Sequence, residues 1–99
     1  MSENVKDDVK KFPNLPGVYR MLNKAGDIIY IGKSKDLKKR VLSYFNKTQP
    51  SPRTRLMVGN IASIEFTVTN TEAEALILEN NMIRSFMPRY NVIFRDDKS

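Results

Sequence analysis

A chain of 99 residues with 40% apolar content is sufficient for one folded domain with a single modest core. It contains neither cysteine nor histidine, which excludes disulfide scaffolds, thiolate zinc sites and catalysis by either side chain. Its net charge is +6, and it has no apolar run of membrane-spanning length and no signal-type N-terminus. We therefore expect a cytoplasmic protein that binds an anionic partner.

The positive charge is unevenly distributed along the chain. Residues 33–40 carry five basic side chains and one acidic one, whereas residues 56–83 hold four glutamates and no lysine or arginine. Such segregation is typical of a basic face that binds a polyanion, although an ordinary solvated surface explains the charge alone equally well. A membrane-surface helix is less favoured, because the basic segment lacks a broad apolar face.

The N-terminal part of the chain predicts a helix followed by a β-hairpin. Val5, Val9 and Phe12 recur at helical spacing, and the two prolines that follow end that helix. Two short strands are predicted over 17–22 and 27–31. The loop that joins them starts with asparagine and ends with glycine, as hairpin turns do.

The loop length sets the pairing of these two strands. Four loop residues place Leu22 opposite Asp27 and Tyr19 opposite Tyr30, which puts both phenol rings on one face of the sheet. A three-residue loop would turn the rings to opposite faces, since side chains alternate along a strand. We predict the four-residue loop and the shared face.

Two further helices are predicted after the hairpin. Ser34 is a good N-cap for a basic helix from Lys35 to about Phe45. A polar, proline-containing segment follows and is predicted as a loop. Ser51 and Pro52 then start a short helix, because proline fits the first helical position.

The C-terminal part predicts a strand and a longer helix. Apolar and polar residues alternate over 63–69, as in a half-buried strand. Thr71 and Glu74 form a capping box for a helix that runs to about Phe86, and a last short strand is predicted over 91–94. The element order indicates an α+β fold, with a small central antiparallel sheet of about three strands flanked by helices.

Glu79 is the most informative acidic residue. Its neighbours one helical turn away are apolar, so its carboxylate lies on the apolar face of the helix, where an unpaired charge is costly. Two interpretations stay open. One is a buried salt bridge to an arginine, and the other is a ligand of Mg²⁺, which needs only one protein carboxylate besides water and phosphate oxygens.

The basic segment and the tyrosines offer groups that suit a phosphate. Lys33 precedes a predicted helix N-terminus, and Arg40 has the geometry to clamp two phosphate oxygens. The alternatives are a solvated lysine and a surface ion pair between Arg40 and Asp36. Tyr19 and Tyr30 are individually more typical of packing than of catalysis, since a tyrosine needs a neighbouring charge to act as a base near neutral pH.

Five motifs occur in the order and spacing of a known family. The matching segments are LPGVYR (15–20), IYIGKSKDLKKRV (29–41) with SYF (43–45), TEAEALILEN (71–80), PRYN (88–91) and RDDKS (95–99). On these segments the chain resembles the GIY-YIG endonucleases, and most closely their UvrC-type branch from bacterial nucleotide excision repair. Val18 replaces the isoleucine of the family name, a conservative change.

The resemblance implies one nuclease domain over 1–99, with a core over 13–95, excised from a longer chain. It implies hydrolysis of one DNA phosphodiester bond with a single Mg²⁺ or Mn²⁺ ion, and the incision 3′ to a lesion in damaged double-stranded DNA. The implied partner of the full-length protein is the UvrB–DNA complex, and we expect the fragment to be a monomer. The alternatives are a stand-alone UvrC-like repair nuclease and a non-catalytic nucleic-acid-binding module of the same fold.

The resemblance also assigns roles to residues of this chain. Glu79 is the implied metal ligand, Tyr30 the implied general base, directly or through a metal-bound water, and Arg40 the clamp on the scissile phosphate. Lys33 is implied to orient the water or to lower the tyrosine pKa. The remaining implied site residues are Tyr19, Tyr44 and Asn91, the glycines of the tyrosine motifs are Gly17 and Gly32, and the predicted DNA-binding residues are Lys33, Lys35, Lys38, Lys39, Arg40, Arg53 and Arg55.

Overall fold

The structure, a computed structural model, describes residues 2–45 and 51–92. In this part of the chain helices and strands alternate as an α+β fold, as expected, and no helix is long and apolar enough to cross a membrane. The elements are α1 (Ser2–Val9), β1 (Gly17–Leu22), β2 (Ile28–Ser34), α2 (Leu37–Ser43), α3 (Pro52–Gly59), β3 (Ser63–Val68) and α4 (Glu72–Phe86).

The three strands form one antiparallel sheet in the order β2–β1–β3. In the pairing of β1 with β2, Tyr19 lies opposite Gly32 and Met21 lies opposite Tyr30. The predicted pairing of Tyr19 with Tyr30 is therefore wrong by two residues. A shift of two keeps every side chain on its face, so the shared face of the two phenol rings is confirmed.

Hydrogen bonds within the hairpin loop account for the different register. Asn23 Oδ1 accepts hydrogen bonds from the backbone N–H groups of Ala25 and Asp27, at 3.0 Å each, which holds Asp27 in the loop rather than in the strand. The first pair of the ladder is therefore Leu22 with Ile28. An irregularity in the ladder directly after this pair adds the second residue of the shift.

The helix caps agree with the sequence patterns except at α2. Asp36, and not Ser34, is its N-cap, because β2 continues through Ser34. The Asp36 carboxylate accepts the Lys39 N–H at 3.1 Å. The caps predicted at Ser51 and Thr71 are confirmed, since each side chain accepts a backbone N–H of the helix that it begins.

The two faces of the sheet carry separate apolar clusters. The larger lies on the face of Tyr19 and includes residues of α1, α2 and α3, whereas the smaller lies beneath α4. The apolar side of β3 is less covered than its alternation predicts, with Phe66 37% and Val68 44% exposed, because β3 is an edge strand. Residues 89–92 form a helical turn, so the predicted strand over 91–94 is wrong at 91–92, and 93–94 lie outside the described residues.

Both motif glycines are required by close packing. A Cβ at Gly17 would collide with the backbone carbonyl oxygen of Thr67 and lie 2.8 Å from Leu37 Cδ1. A Cβ at Gly32 would collide with Oη and Cζ of Tyr19 and lie 2.9 Å from Cε1 of the same ring. The ring of Tyr19 therefore occupies the space that any larger residue at position 32 would need.

Gly32→Ala should destabilise the domain by about 1–3 kcal/mol, because the Tyr19 ring must move out of a packed core. Gly59→Ala is the matched control: a Cβ there meets nothing within 4 Å, and Gly59 is the last residue of α3. Alanine favours a helix over glycine by up to about 1 kcal/mol, so the control should be neutral or stabilising. Urea unfolding compares the two variants, and equal stabilities would contradict the proposed contact.

Candidate active site

Three tyrosine rings meet on the face of the sheet that α2 covers. Tyr19 comes from β1, Tyr30 from β2, and Tyr44 directly follows α2; their ring centroids lie 5.9, 6.2 and 6.3 Å apart. The hydroxyl oxygens of Tyr19 and Tyr44 are 2.7 Å apart and hydrogen-bonded. Tyr19 and Tyr44 are buried, at 1% and 7% exposure, whereas Tyr30 is only partly buried. Tyr30 is thus the phenol with the most access to a ligand.

Arg40 lies one helical turn before Tyr44 and contacts its ring. Its Nη2 donates a hydrogen bond to Tyr44 Oη at 3.3 Å, and its guanidinium carbon lies 5.1 Å from the ring centroid. The side chain is otherwise exposed, so further N–H donors face solvent. The alternative of an ion pair with Asp36 is wrong: that carboxylate instead accepts Asn14 Nδ2 at 2.9 Å and the cap hydrogen bond.

Glu79 lies half-buried on α4, which packs against β2. Burial raises the pKa of its carboxyl group, while the ammonium and the backbone N–H of Lys33 act in the opposite direction. Its charge is one of the causes that raise the pKa of Tyr30, so the carboxylate lies near the phenol. Within residues 2–45 and 51–92 no arginine forms an ion pair with Glu79, so no described residue supports the buried-salt-bridge interpretation.

The pKa of Tyr30 is raised well above its usual value. Burial is the largest cause, followed by the charge and hydrogen bonding of Tyr44, and these outweigh the lowering effect of Arg40. Burial likewise raises the pKa of Tyr19. Arg40 is a cation that lowers the pKa of Tyr30 in this structure. The role implied for Lys33, to orient the water or to lower the tyrosine pKa, stays a prediction.

Lys33, at the end of β2, is directed toward the carboxylates of α4. Its Nζ lies 3.3 Å from Glu72 Oε2, and its charge acts on Glu79. The pair with Glu72 is half-exposed and therefore weak, so a phosphate can replace it. Glu72 was missed in the sequence; its spacing of seven residues from Glu79, two helical turns on one face, is the signal that could have found it.

Asn91 is bonded to the backbone of β2 rather than to the tyrosine hydroxyls. Its Oδ1 accepts the N–H of Ile31, and its Nδ2 donates to the carbonyl oxygen of Ile31, both at 2.8 Å. The amide thus pairs with the outer edge of β2 as a neighbouring strand would. Because Ile31 lies between Tyr30 and Gly32, Asn91 fixes the strand segment that presents Tyr30.

Asn91→Asp should cost about 1–3 kcal/mol of stability, because a carboxylate loses the donor and faces the carbonyl oxygen of Ile31. Asn81→Asp, an exposed change on α4, is the matched control and should stay within about 0.5 kcal/mol of the parent. Chemical unfolding measures both variants. A loss of the same size in the control would show that the added charge, and not the amide pairing, is responsible.

The remaining predicted DNA-binding residues lie on α2 and its flanks and on α3. Lys35 and Lys39 are exposed, Lys38 is partly buried, and Arg53 and Arg55 are exposed on α3. Lys35 and Lys39 line the same cavity as Arg40. The assignment of all five residues to DNA binding stays a prediction.

The donor set of the site fits one hydrated divalent cation. In the described part of the chain there is no group of three or more histidine, cysteine, aspartate or glutamate side chains that could hold a metal. Glu79 offers a single carboxylate whose charge acts on the partly buried Tyr30. Mg²⁺ and Mn²⁺ prefer oxygen ligands, and Mg²⁺ retains several water molecules, so one carboxylate is sufficient, whereas a structural zinc ion needs four protein ligands.

The sequence is similar to bacterial excision-repair proteins. A family model for the UvrC-like GIY-YIG domain matches residues 15–92. The chain is 69% identical over 94 residues to the UvrABC system protein C of Methylobacillus flagellatus, which covers 95% of this chain and 16% of that protein. It is 66% identical to the UvrABC system protein C of Nitrosomonas europaea, with 92% of this chain and 15% of that protein covered. The chain thus spans only a small part of these relatives.

The fold is similar to solved nuclease structures. One is the crystal structure of the GIY-YIG N-terminal endonuclease domain of UvrC from Thermotoga maritima bound to its catalytic divalent cation, magnesium; its TM-score is 0.82, with 37% identity over 91% of this chain and 98% of that chain. A point mutant of the same domain, bound to its catalytic divalent cation, gives the same TM-score at 36% identity. The resemblance inferred from the five motifs is therefore confirmed, and the chain belongs to the family of UvrC-like GIY-YIG domains.

Proposed function

We propose that this domain is a divalent-metal-dependent DNA endonuclease that hydrolyses one phosphodiester bond. The observation that carries the proposal is the convergence of Glu79, Tyr30 and Arg40, a carboxylate, a phenol and an exposed guanidinium from three different elements. These are the groups needed to hold a cation, accept a proton and bind a phosphate. A non-catalytic binding module is disfavoured, because it has no use for a half-buried carboxylate that no arginine of the described residues neutralises.

Glu79 is the residue that would hold the cation. When bound, Mg²⁺ or Mn²⁺ neutralises charge on the phosphate and makes a water molecule more acidic. Burial of Glu79 disfavours its own ionised form, so the empty carboxylate is stabilised chiefly by Lys33. The domain thus keeps a poorly solvated negative charge at the place where a cation relieves it.

Arg40 would bind the scissile phosphate. Its contact with Tyr44 fixes one edge of the guanidinium, and the exposed side chain has further N–H groups that can bind two phosphate oxygens. Positioned donors of this kind typically contribute about 2.7–4 kcal/mol to the stabilisation of developing charge. Lys33 adds a second cation on the Glu79 side of the site.

Tyr30 would accept the proton of the attacking water. Its high pKa means that the phenolate is scarce near neutral pH, so the site must favour ionisation at the moment of reaction. The Glu79 charge is one cause of that high pKa, and neutralising it lowers the pKa of Tyr30. Tyr19 and Tyr44 fix the phenol through ring contacts, and Asn91 fixes its strand.

In the cell the domain would act as part of a longer cytoplasmic protein. Its relatives are UvrABC system proteins of which it spans 15–16%, so we assign it the incision 3′ to a lesion in damaged double-stranded DNA, on a UvrB–DNA complex engaged by the rest of the protein. A stand-alone UvrC-like nuclease is the second candidate. We expect the isolated domain to be a monomer with weak affinity for DNA.

Nicking of supercoiled plasmid tests the activity directly. The purified domain should nick DNA with Mg²⁺ or Mn²⁺ and not with EDTA, and Glu79→Gln should be inactive under both conditions. A duplex with one defined lesion, preloaded with UvrB, tests the position of the cut on a sequencing gel. Equal nicking with EDTA, or by Glu79→Gln, would refute the assignment, and a cut on the 5′ side would refute only the repair step.

A further inference from the structure

We propose that a groove between α1 and α2 binds the DNA strand that flanks the scissile phosphate, and that Lys6 of α1 and Lys10, which directly follows α1, form one wall of it. The inference rests on the proposed nuclease function. To that function it adds the path along which the substrate strand leaves the active site. It also adds a DNA-binding segment that precedes the first family motif in the sequence.

Two neighbouring cavities along α2 make up this groove. The first, of about 280 Å³, begins at Arg40 and continues past Lys39. The second, of about 510 Å³, lies between Lys39 on one side and Lys6 and Lys10 on the other. Lys39 and Ser43 line both, so the two cavities are neighbours along α2, one at the proposed phosphate clamp and the other at α1.

The groove carries little compensating negative charge. Asp36 is the acidic residue on its Arg40 side, and its carboxylate accepts hydrogen bonds from Asn14 Nδ2 and the Lys39 N–H instead of forming an ion pair with a described lysine or arginine. Lys10 lies 3.7 Å from Asp7, an exposed pair that is easily exchanged. Among the described residues Lys6 and Lys39 form no ion pair.

The cations are arranged in two rows that suit a strand rather than a compact anion. Lys35, which precedes α2, and Lys39 of α2 line the first cavity. Lys6 of α1 and Lys10, which directly follows α1, line the second, and the Lys10 N–H donates to the Lys6 carbonyl oxygen at 3.1 Å, so these two lysines share a face. A helical turn rises about 5.4 Å, while a DNA strand carries one charge per about 3.4 Å of axis. The partly buried Leu42 and Phe45 give the second cavity an apolar side for sugars or bases.

The position of α1 is fixed by packing. Val5 and Val9 are buried in the same cluster as Leu37 and Val41 of α2, so Lys6 and Lys10 are held at the groove rather than carried by a loose arm. The matched family model begins at residue 15, and α1 lies before it. Lys6 and Lys10 are therefore an addition to the residues that the motifs single out.

Binding of a fluorescein-labelled duplex, measured by anisotropy in EDTA across a salt series, separates this inference from catalysis. The Lys6→Gln/Lys10→Gln variant should bind more weakly, and its slope of log K against log salt should fall by about 0.9 for each lost phosphate contact. Glutamine has a helix propensity close to that of lysine, so α1 should persist. Lys11→Gln/Lys24→Gln, two exposed lysines that do not line the groove, removes the same charge as a control.

Trimming the duplex on one side of the cut then tests the direction of the strand. The parent should lose affinity when one flank, and not the other, is shortened, and Lys6→Gln/Lys10→Gln should be insensitive to that trimming. Lys6→Arg/Lys10→Arg should restore both the slope and the sensitivity. The inference is overturned if the groove variant and the control show equal slopes. If the parent does not nick DNA but the salt slope of Lys6→Gln/Lys10→Gln is still altered, the nuclease assignment is refuted and the groove stands as a DNA-binding site.

Discussion

Glu79→Gln is expected to abolish metal-dependent cleavage and, at the same time, to raise the melting temperature of the metal-free domain. Burial raises the pKa of Glu79 above its ordinary value of 4.5, so the folded state holds the proton more tightly than the unfolded state. The protonated Glu79 side chain therefore contributes its full share to the free energy of unfolding below pH 4.5. This contribution is lost as the pH rises through the pKa that Glu79 has in the folded state. Glutamine stays neutral and avoids the loss.

Thermal melts in EDTA, below and above pH 4.5, measure this effect. The melting temperature of Glu79→Gln should exceed that of the parent at neutral pH. The difference should vanish in acid, where Glu79 is protonated in both the folded and the unfolded parent. Glu74→Gln is the control on the same helix: glutamine also serves in a capping box, and this variant should cleave DNA and show no gain in stability. A Glu79→Gln variant that cleaves normally would remove Glu79 as the metal ligand.

Tyr30→Phe is expected to lower the cleavage rate by about 10²–10⁴-fold, the usual contribution of a general base, while DNA binding stays nearly unchanged. The ring contacts with Tyr19 and Tyr44 are retained, so the variant should fold. Single-turnover rates with saturating protein separate the chemical step from binding. Because the phenol has a high pKa, the parent rate should rise with pH through the neutral range.

Tyr90→Phe is the matched control for this change. Tyr90 is buried, and its hydroxyl accepts a hydrogen bond from Asn60 Nδ2 at 3.2 Å, so its loss should lower stability at least as much as Tyr30→Phe without lowering the cleavage rate. If Tyr30→Phe cleaves DNA at nearly the parental rate, Tyr30 is not the general base and another group accepts the proton. An equal fall in the rates of both variants would show that the effect is structural.

The faces of side chains were predictable from the sequence, whereas exact pairings were not. The period of two along strands and of about four along helices placed Tyr19 beside Tyr30 and Glu79 on the inner side of α4, because these rules depend only on local geometry. The register depended on Asn23, whose side chain holds Asp27 in the loop. No local rule distinguishes that arrangement from a tighter turn.

Contacts between distant parts of the chain were the least predictable. Asn91 and Ile31 are 60 residues apart, and an asparagine after a proline-terminated helix gives no sign that it will pair with a strand edge. Lys33 was expected to orient the water or to lower the tyrosine pKa, and nothing in the sequence indicated that α4 brings Glu72 within reach of its ammonium. Both outcomes depend on how α4 and the turn after it dock against β2.

The contact between Tyr19 and Gly32 has a consequence for how variation in these domains should be interpreted. Because the Tyr19 ring fills the volume that a side chain at position 32 would occupy, glycine at position 32 is a response to the aromatic ring at position 19. The two positions should therefore covary: replacement of the tyrosine by a small residue would relax the demand for glycine. The two tyrosine motifs, separate in the sequence, are complementary halves of a single contact in the core.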